Sequence, residues 1–554
     1  MSGKTVLIVG GSIAGLEHAL EQARAGNKVY LVEESTCLAS ERIVPDKEPS
    51  GDHLFVSPKL EELKNNKNIQ IISGAEIEKA TEQDGKFRIK IRHRALRVLA
   101  ERCDDCKACI SVCPVNLWDD ATHHLSFRTA IDSPGAGGGI YNIIRENMPV
   151  CQETCPLHLD IRGYIGLIAD GKFAEALALI REKLPFPGVI ARICPHPCEE
   201  ECNRGIQDEP LSICGLKRFV ADFELQELGK PKVPAKGAAR EVKVAIVGAG
   251  PAGLTCAHDL ASLGYRVIIF ESLPVPGGML AVGIPEYRLP KAVLQKEIDV
   301  VRALGVEIKL NTTIGKDLTI DDLFRQDFKA VFIGVGAHQS QKLMVPGEDT
   351  KGVVHGIDFL RNLNLGREVW VGEKVTIIGG GNVAIDAARS ALRLGAKEVS
   401  ILYRRSRQEM PAYSEEIEAA EAEGVRIHYL VAPAGVLTSS GEVKGLCCTR
   451  MELGEPDAFG RRQAIPVRGS ELDIESDMII LAIGQVTALS FLGQNSRIKT
   501  ARGSTLVADP ETMATTRPGV FAGGDAVTGP GIAVEAIAAG KRAAISIAKY
   551  LEKE

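Results

Sequence analysis

Ten of the 14 cysteines lie between positions 103 and 214, and the first four have the spacing of metal ligands. They form the run Cys103-x2-Cys106-x2-Cys109-x3-Cys113, which Pro114 follows. Thiolates at these spacings surround a cubane cluster in bacterial ferredoxins, whereas zinc usually takes two Cys-x-x-Cys pairs separated by a longer loop. The run therefore predicts a [4Fe-4S] cluster.

Six more candidate ligands lie in a second stretch, where the spacing of apolar residues from Asp160 to Lys183 predicts helices. They are Cys151, Cys155, Cys194, Cys198, Cys202 and Cys214. A cysteine of one motif can serve a neighbouring cluster, so the allocation of ligands stays open. If each cubane takes four thiolates, two cubanes would leave two of these ten cysteines unused. Three cubanes would need ligands other than cysteine. The remaining cysteines are predicted to pack as small apolar side chains: Cys37, Cys256, Cys447 and Cys448.

A second chemistry is indicated by the glycine-rich turn Gly248-Ala-Gly250-Pro-Ala252-Gly253, which follows an apolar run. The first glycine permits the turn, the second lets the backbone approach a pyrophosphate, and the third lets the helix pack on the strand. Glu271 follows Gly248 by 23 residues, where a carboxylate can accept hydrogen bonds from ribose hydroxyls. The pattern predicts a dinucleotide site.

A related turn, Gly-Gly-Gly-Asn-Val-Ala, occupies residues 379–384. The predicted strand that follows this turn is not followed by an acidic residue. Arg404 and Arg405 occupy that position instead. Guanidinium groups bind a 2′-phosphate that a carboxylate would repel, so this site favours NADP(H) over NAD(H). The alternative is that these arginines and Arg407 form a solvated loop. The predicted NADP(H)-binding residues are Gly379, Gly381, Asn382, Ala384, Arg404 and Arg405.

A third copy of the turn, Gly-Gly-Ser-Ile-Ala-Gly at residues 10–15, carries Ser12 where the second glycine belongs. A Cβ atom there crowds the backbone against a pyrophosphate. Glu33 follows Gly10 by 23 residues, but no complementary half-domain follows before the cysteines begin. We expect a Rossmann-like half-domain without a cofactor, and a second FAD at this turn is the disfavoured alternative.

The elements that position these residues are three strand–glycine–helix–strand units, the βαβ blocks of doubly wound sheets. A Pro-, Gly- and Lys-rich linker at residues 229–239 separates the cysteine region from the second unit. Between the arginines and the C-terminus, the acidic run Glu415–Glu423 is predicted to be an exposed helix face.

Composition excludes several classes of protein. The net charge of −6 does not favour binding to nucleic acid, which is itself negatively charged. No apolar run approaches the ~20 residues that span a bilayer. The N-terminal apolar run is too short for a signal peptide, so we expect a cytoplasmic protein without membrane insertion. Thiols stay reduced there, which favours metal binding over disulfides for the cysteine cluster.

From about Pro149 onward the chain resembles the small subunit of NADPH-dependent glutamate synthase. It is also similar to the large subunit of electron-bifurcating ferredoxin:NADP transhydrogenase and to the N-terminal part of dihydropyrimidine dehydrogenase. The motifs that carry this resemblance are Cys151-Gln-Glu-Thr-Cys155-Pro, Cys194-Pro-His-Pro-Cys198-Glu-Glu-Glu-Cys202, Gly215-Leu-Lys-Arg-Phe219, Pro276-Gly-Gly-Met-Leu280, Tyr403-Arg-Arg405 with Met410-Pro-Ala412, and Ala522-Gly-Gly-Asp525. Residues 1–130 instead resemble the flavin subunit of heterodisulfide reductase, through Ser57-Pro-Lys-Leu60, Asn68-Ile69 and the first cysteine run.

The resemblance implies that FAD lies on the 248–253 turn, with Asp525 at the ribityl chain. A helix beginning near Ile532 would point its positive end at the flavin and stabilise charge on the reduced ring. The implied FAD-binding residues are Gly248, Gly250, Ala252, Gly253, Glu271, Gly278, Met279, Arg288, Gly336, Gly524, Asp525, Ile532 and Ala533.

The resemblance also implies two clusters in the helical region, with two departures in this chain. The leading Cys-x-x-Cys of the family is replaced by Ile143 and Glu146, for which the first cysteine run could compensate. The family's non-cysteine ligand falls near Lys217, a poor ligand, and Cys214 could substitute for it.

The predicted fold class is therefore α/β, a flavoprotein with two Rossmann-like, doubly wound dinucleotide-binding domains. A half-domain (1–100), a ferredoxin-type [4Fe-4S] segment (101–140) and a helical iron–sulfur domain (141–235) precede them. The FAD-binding domain is predicted in two parts (236–365 and 481–554) around the NADP-binding domain (366–480).

The expected activity is that of an NAD(P)H-dependent iron–sulfur flavoprotein oxidoreductase of anaerobic metabolism. Hydride would pass between nicotinamide and flavin, and single electrons between flavin and clusters, without a catalytic acid, base or nucleophile from the protein. The expected partners are other redox subunits of a cytoplasmic complex, with ferredoxin as a candidate. Two alternatives are the glutamate synthase small subunit itself and an electron-bifurcating flavoprotein subunit. A third is an electron-transfer or assembly module whose nucleotide sites no longer bind nucleotides.

Overall fold

The structure is a computed structural model that describes residues 4–33, 62–63, 65–73, 75–83, 86–93, 108–111, 116–118, 127–129, 131–132, 142–143, 148–456, 460–493, 496–501 and 504–553. The chain divides into two compact units, Met1–Met148 and Pro149–Glu554. No helix in the described ranges is long and apolar enough to cross a membrane.

The first unit contains the N-terminal βαβ element that the glycine pattern predicts. Its strands are β1 (Thr5–Val9), β2 (Lys28–Glu33), β3 (Ile69–Ser73), β4 (Ala75–Gln83), β5 (Lys86–His93), β6 (Asn116–Trp118), β7 (Phe127–Thr129), β8 (Ile131–Asp132) and β9 (Asn142–Ile143), and its helices are α1 (Ile13–Arg24) and α2 (Ala108–Ser111). Strands β1, β2 and β3 form a parallel sheet in that order, and Leu16, Leu20, Val29 and Leu31 pack between it and α1. Strands β4 and β5 form an antiparallel hairpin.

The second unit begins with the helical region that carries the six later cysteines. Its helices are α3 (Val150–Glu153), α4 (Ile161–Ala169), α5 (Phe173–Arg181), α6 (Pro187–Ile193), α7 (Pro197–Glu200) and α8 (Ile213–Leu228). The apolar spacing that predicts helices over residues 160–183 is confirmed by α4 and α5, which bury Ile161, Tyr164, Leu177 and Ile180. A 3-10 turn covers Asn203–Ile206.

A five-stranded parallel sheet follows the linker. In chain order its elements are β10 (Lys243–Val247), α9 (Pro251–Ser262), β11 (Arg266–Phe270), α10 (Met279–Val282), α11 (Lys291–Ala303), β12 (Glu307–Lys309), α12 (Ile320–Arg325) and β13 (Phe328–Ile333), with β26 (Val520–Ala522), α16 (Asp525–Thr528) and α17 (Ala533–Leu551) contributed from the C-terminus. The strand order is β12-β11-β10-β13-β26. The sheet is therefore built from two separate parts of the chain.

A second parallel sheet is inserted between those two parts. Its elements are β15 (Val353–His355), α13 (Gly356–Asn364), β16 (Lys374–Ile378), α14 (Asn382–Arg393), β17 (Glu398–Tyr403), α15 (Ser414–Ala422), β18 (Arg426–Tyr429) and β22 (Met478–Leu481), in the order β15-β22-β16-β17-β18. An antiparallel sheet of β19 (Val431–Ser439), β20 (Glu442–Pro456) and β21 (Arg462–Glu475) packs beside it. Two short antiparallel pairs, β14 (Gln339–Ser340) with β23 (Gln485–Val486) and β24 (Thr500–Ala501) with β25 (Thr505–Leu506), complete the unit, and a 3-10 turn covers Arg407–Glu409.

A buried carboxylate attaches the helical region to the first of these sheets. Glu297 of α11 is 3% exposed, and its two oxygens accept hydrogen bonds from the backbone N–H groups of Gly188 (2.7 Å) and Val189 (3.0 Å) in the first turn of α6. Burial raises the pKa of Glu297 to about 7. This contact fixes α6, and hence the cysteine that follows it, relative to the sheet.

Close packing between α9 and α17 depends on a glycine, which gives a stability prediction. A Cβ atom at Gly540 would lie 2.4 Å from the Ala252 carbonyl oxygen, a backbone atom that cannot move freely. In Gly540→Ala this clash outweighs the helix-propensity gain of about 1 kcal/mol. We expect a lower thermal unfolding midpoint and weaker retention of any ligand bound at the start of α9.

The control is Gly166→Ala in α4, where a Cβ atom meets nothing within 4 Å. That variant should unfold at the same temperature as the parent or slightly higher. Equal or increased stability of Gly540→Ala, measured by calorimetry on both variants, would contradict the packing argument.

Candidate functional site

One large cavity, of about 1450 Å³, lies within the second unit. Its walls include the carboxyl ends of β10, β11, β16 and β17, through Val247, Phe270, Ile378 and Tyr403. Ligands of open α/β sheets bind outside these ends of the strands. Both the 248–253 turn and the 379–384 turn face this cavity.

The 248–253 turn has the geometry that each of its glycines predicts. Gly248 has φ +101°, and a Cβ atom there would lie 2.5 Å from the Gly334 carbonyl oxygen. At Gly253 a Cβ atom would lie 2.0 Å from the Gly248 carbonyl oxygen. At Gly250, by contrast, it would meet nothing within 4 Å. The backbone at the start of α9 is thus uncovered toward the cavity, which fits a pyrophosphate.

Glu271 follows β11 and lines the same cavity. It is 5% exposed, and its carboxylate accepts hydrogen bonds from the backbone N–H groups of Ala249 (2.7 Å) and Leu273 (2.8 Å). Burial raises the pKa of Glu271, while these hydrogen bonds act against the rise. The backbone therefore holds the carboxylate at the turn, beside the cavity.

The C-terminal part of the chain supplies another side of the cavity. Gly524 (φ +66°) precedes Asp525, and the N-terminus of α17 follows at Ile532 and Ala533; all four residues line the cavity. The Asp525 carboxylate accepts a hydrogen bond from the Gly531 N–H at 3.3 Å. Burial raises the pKa of Asp525 to about 6. A 19-residue helix thus directs its positive end into the cavity.

Of the remaining residues that the resemblance assigns to FAD, the structure brings Ala252, Gly278, Met279 and Gly336 to the same cavity. A Cβ atom at Gly278 would lie 2.8 Å from the Gly250 Cα atom, so the 277–278 loop approaches the turn closely.

The 379–384 turn is also open toward the cavity. A Cβ atom at Gly379 would lie 2.2 Å from the Ala482 carbonyl oxygen, whereas at Gly381 it would meet nothing within 4 Å. Asn382 lines the cavity, and its Oδ1 atom accepts a hydrogen bond from the Tyr413 N–H at 3.2 Å.

The three arginines after β17 have different environments. Arg404 is exposed and lines the cavity. Arg405 also lines it but is 8% exposed, and its Nε donates to the Arg462 carbonyl oxygen at 2.6 Å. Arg407 pairs instead with Glu421 at 2.8 Å. The solvated-loop alternative thus fits Arg407, which does not line the cavity, while Arg404 and Arg405 do line it.

Arg288 of the first sheet's domain joins the two dinucleotide domains. It lines the cavity and forms ion pairs with Asp386 of α14 (2.7 Å) and Glu416 of α15 (2.9 Å). Glu416 also pairs with Arg389 at 2.6 Å. The prediction that the whole run Glu415–Glu423 is an exposed face is wrong for Glu416, because an amphipathic pattern does not show which acid meets a buried arginine.

The six cysteines of the helical region fall into two groups. The thiols of Cys194 and Cys214 lie close enough to affect each other's pKa, and the Cys214 thiol donates to the Ala191 carbonyl oxygen at 3.6 Å. Cys198 lies within electrostatic reach of Cys194 and Cys155. The buried Tyr164 lies within electrostatic reach of Cys155, Cys198 and Cys214, and also of Cys151. Burial raises the pKa of the Cys198 thiol to about 12.

The second group is the pair Cys151 and Cys202, which lie near each other and near Arg162. Of the first cysteine run, the structure describes only Cys109, in α2; Cys103, Cys106 and Cys113 lie outside the described residues. Cys256 and Cys448 are buried among apolar residues, as predicted.

The donor set of the first group has the chemistry of an iron–sulfur site. All four members are free thiols, and no disulfide joins them. Cys155 lies just after α3, Cys194 just after α6, Cys198 on α7 and Cys214 on α8. Among the described residues, no three His, Cys, Asp or Glu side chains meet at the spacing of a single bound ion. Four soft sulfur donors suit an Fe–S cluster.

The cysteine group adjoins the cavity. Ile193, the last residue of α6, lines the cavity, and Cys194 follows it directly. Tyr413 also lines the cavity; burial raises its pKa, and the nearby Cys194 contributes to that rise. Sequence reasoning missed Ile193, Tyr413, Asp386 and Arg461, which carry no motif of their own.

The N-terminal turn is built like the 248–253 turn, with one difference. Gly10 has φ +102°, and Glu33 accepts a hydrogen bond from the Gly11 N–H, as Glu271 does from Ala249. Ser12, however, caps α1 with its own hydroxyl, which accepts from the Gly15 N–H at 3.4 Å. The Ser12 side chain thus uses a donor that would otherwise face a phosphate.

Comparison with known proteins agrees with this geometry. Residues 242–540, more than half of the chain, match the family model described as pyridine nucleotide-disulphide oxidoreductase. Residues 96–118 match a 4Fe-4S binding domain, and residues 145–228 match dihydropyrimidine dehydrogenase domain II, 4Fe-4S cluster. The chain belongs to the pyridine nucleotide-disulphide oxidoreductase family. It is an NAD(P)H-dependent iron–sulfur flavoprotein oxidoreductase with FAD, NADP(H) and [4Fe-4S] clusters as cofactors.

Similar curated proteins are redox subunits. The chain is 51% identical over 426 residues to the NADP(+)-dependent formate dehydrogenase subunit beta of Moorella thermoacetica, a match that covers 73% of this chain and 60% of that subunit. It is 43% identical over 489 residues to the NADPH-Fe(3+) oxidoreductase subunit beta of Geobacter sulfurreducens (82% of this chain, 72% of that one). It is 35% identical over 421 residues to the glutamate synthase [NADPH] small chain of Escherichia coli (73% and 89%).

Asp525 gives a pH-dependence prediction for the protein stripped of flavin. A carboxyl group whose pKa rises to about 6 on folding binds more protons in the folded chain, so stability falls as pH rises toward 6. Asp525→Asn removes the ionised form and keeps an acceptor for Gly531. We expect the thermal midpoint of the variant, relative to the parent, to be higher at pH 7.5 than at pH 5. A difference that stays constant with pH would contradict this.

Proposed function

We propose that this chain is the NADPH-linked subunit of a cytoplasmic redox complex, in which it exchanges electrons between NADP(H), FAD and [4Fe-4S] clusters. One observation carries the proposal. A single cavity is shared by the 248–253 turn and the 379–384 turn, and Ile193, next to Cys194, forms part of its wall. Nicotinamide, flavin and cluster ligands would then meet at one place.

In this proposal the first sheet holds FAD. The 248–253 turn and α9 receive the pyrophosphate, Glu271 the adenosine ribose and Asp525 the ribityl chain, while the N-terminus of α17 faces the flavin. Bound FAD supplies the conversion between two-electron and one-electron transfer. The positive end of α17 stabilises negative charge at its N-terminus by an amount of order 1 kcal/mol.

The second sheet is proposed to hold NADP(H). Gly381 and Asn382 at the start of α14 receive the pyrophosphate, and Arg404 and Arg405 the 2′-phosphate. The Arg288 ion pairs with Asp386 and Glu416 keep the two dinucleotide domains in one orientation. Alignment of the two rings is the protein's main contribution, because no acid, base or nucleophile is needed.

The cluster ligands are proposed from the grouping of thiols. Cys155, Cys194, Cys198 and Cys214 are a complete set of four for one cubane near the cavity. Cys151 and Cys202 are half of a second set. The run Cys103, Cys106, Cys109 and Cys113 has ferredoxin spacing and would hold a further cluster.

The partner is proposed to be a catalytic redox subunit, such as a formate dehydrogenase catalytic chain. The 51% identity to a formate dehydrogenase beta subunit supports this class of partner, although the chain spans only 60% of that subunit's length. The residues before 149, outside the cavity-bearing unit, favour a complex of this kind over the glutamate synthase small subunit itself. Anaerobic metabolism and a cytoplasmic location accord with reduced thiols and several clusters.

The role of the arginines is tested by comparing NADPH and NADH. Arg404→Gln removes a guanidinium from the cavity wall, so the KM for NADPH should rise about tenfold or more, as expected for loss of one charge-assisted contact to phosphate, with kcat/KM for NADH unchanged. The measurement is anaerobic stopped-flow reduction of the flavin by each nucleotide.

The matched control is Arg407→Gln, because Arg407 pairs with Glu421 away from the cavity. It should leave both nucleotides unaffected. Faster flavin reduction by NADH than by NADPH in the parent protein, or equal effects of the two substitutions, would argue against the NADP(H) assignment.

The cluster assignment is tested by iron content. Cys214→Ala removes one of four proposed ligands, so the anaerobically purified variant should hold fewer irons per chain, by up to about four if the cubane is lost entirely. Cys447→Ala, a half-buried cysteine of β20, is the control and should keep its full iron. Full iron and unchanged cluster spectra in Cys214→Ala would remove Cys214 from the ligand set.

A further inference from the structure

Lys217 is a buried lysine close to three thiols of the four-cysteine group. It lies on α8, three residues after Cys214 and therefore on the same face of the helix, and its side chain is 4% exposed. Its ammonium group acts electrostatically on the thiols of Cys194, Cys198 and Cys214. Within the described part of the chain, Cys194 and Cys214 are therefore close both to each other and to this one cation.

A buried ammonium group is costly unless a negative charge compensates it. In the described ranges no carboxylate lies within ion-pair distance of Lys217. Glu199 acts electrostatically on Cys198 and Cys214, and its Oε1 atom already accepts a hydrogen bond from the Cys214 N–H at 2.6 Å. The other charged groups of this region are His196, near Cys194, and Arg162, near Cys151. The charge of Lys217 is thus directed at sulfur atoms.

Thiolates that bind a cubane provide the compensating charge. A cluster bound by four thiolates is net negative and gains one more negative charge when it is reduced. A fixed positive charge a few ångströms away lowers the energy of the reduced state more than that of the oxidised state, and burial strengthens this effect because water screens it less. Net charge and burial are among the factors that set cluster potentials.

We infer that Lys217 is a potential-tuning residue: its buried ammonium group raises the reduction potential of the cluster held by Cys155, Cys194, Cys198 and Cys214. A higher potential makes this cluster a better electron acceptor and so favours electron transfer from the flavin cavity toward it. Lys217 is not a ligand, because an ammonium group has no free lone pair. This inference rests on the cluster assignment of the proposed function.

The test is the midpoint potential of the cluster in the anaerobic holoprotein, followed by electron paramagnetic resonance during a redox titration. Lys217→Met removes the charge and keeps much of the volume, so we expect the midpoint of one cluster to shift to a lower potential. At the parent's midpoint, less than half of that cluster should then be reduced. Lys217→Arg keeps the charge and should stay close to the parent.

Two further variants separate charge from packing. Glu199→Gln keeps an acceptor for the Cys214 N–H but removes a negative charge, so its midpoint should shift upward. The double variant Lys217→Met/Glu199→Gln restores the charge balance and should lie between the single variants, and Lys217→Gln serves if the Met variant loses iron. Lys172→Met, an exposed lysine on the same region, is the control for general charge loss and should have no effect.

A midpoint unchanged in both neutral variants, with iron and sulfide at parent levels, would overturn the inference and leave Lys217 as a packing residue. That result would leave the proposed function standing, since NADPH would still reduce flavin and clusters. A parent protein without iron and acid-labile sulfide would instead overturn both.

Discussion

The structure depends on one constraint: at two places the backbone must come close to a ligand without any side chain in between. Gly250 and Gly381 meet this constraint, since neither would place a Cβ atom near another atom of the chain. Their neighbours Gly248, Gly253 and Gly379 are under a different constraint: they must be glycine because any side chain there would collide with the protein's own backbone. Parallel strands followed directly by helices satisfy both conditions, and the ends of two such sheets enclose one cavity.

The helical region is attached to this framework by buried charged contacts. Glu297 binds the first turn of α6 through two backbone N–H groups, and α6 ends at the cavity wall one residue before Cys194. The position of the thiols relative to the cavity is therefore set by a short, hydrogen-bonded helix rather than by a loop. Arg288 of the first sheet's domain plays the corresponding part between the two dinucleotide domains, through ion pairs with Asp386 and Glu416 of the second sheet's domain.

The sequence predicts the three βαβ units, because each combines an apolar strand, a glycine turn and a helix at fixed spacing. The sequence also distinguishes the first unit from the other two, because Ser12 replaces the second glycine of its turn. In the structure the Ser12 side chain caps α1. What it could not predict depends on distant residues. Arg288 and Glu416 are 128 positions apart in the chain, and nothing in either local pattern indicates that they pair.

The cysteines show the same limit. Their spacing predicts clusters, and the family matches confirm [4Fe-4S] binding, but spacing alone leaves the ligand sets open. Folding brings Cys214 close to Cys194, although they are 20 residues apart in the chain. It also brings Cys151 close to Cys202, and these two form the other group. The burial of Lys217 among these thiols is also invisible in the sequence, where a lysine on a helix ordinarily predicts a solvated position.

The central claim is that the nicotinamide site and the clusters are in electronic contact through one cavity. The most direct measurement is the cluster signal in electron paramagnetic resonance after limited anaerobic reduction with dithionite, recorded before and after addition of NADP(+). We expect the cluster signal to decay while NADPH forms, and NAD(+) to be less effective than NADP(+). A cluster signal that persists in the presence of NADP(+), with flavin bound, would contradict it.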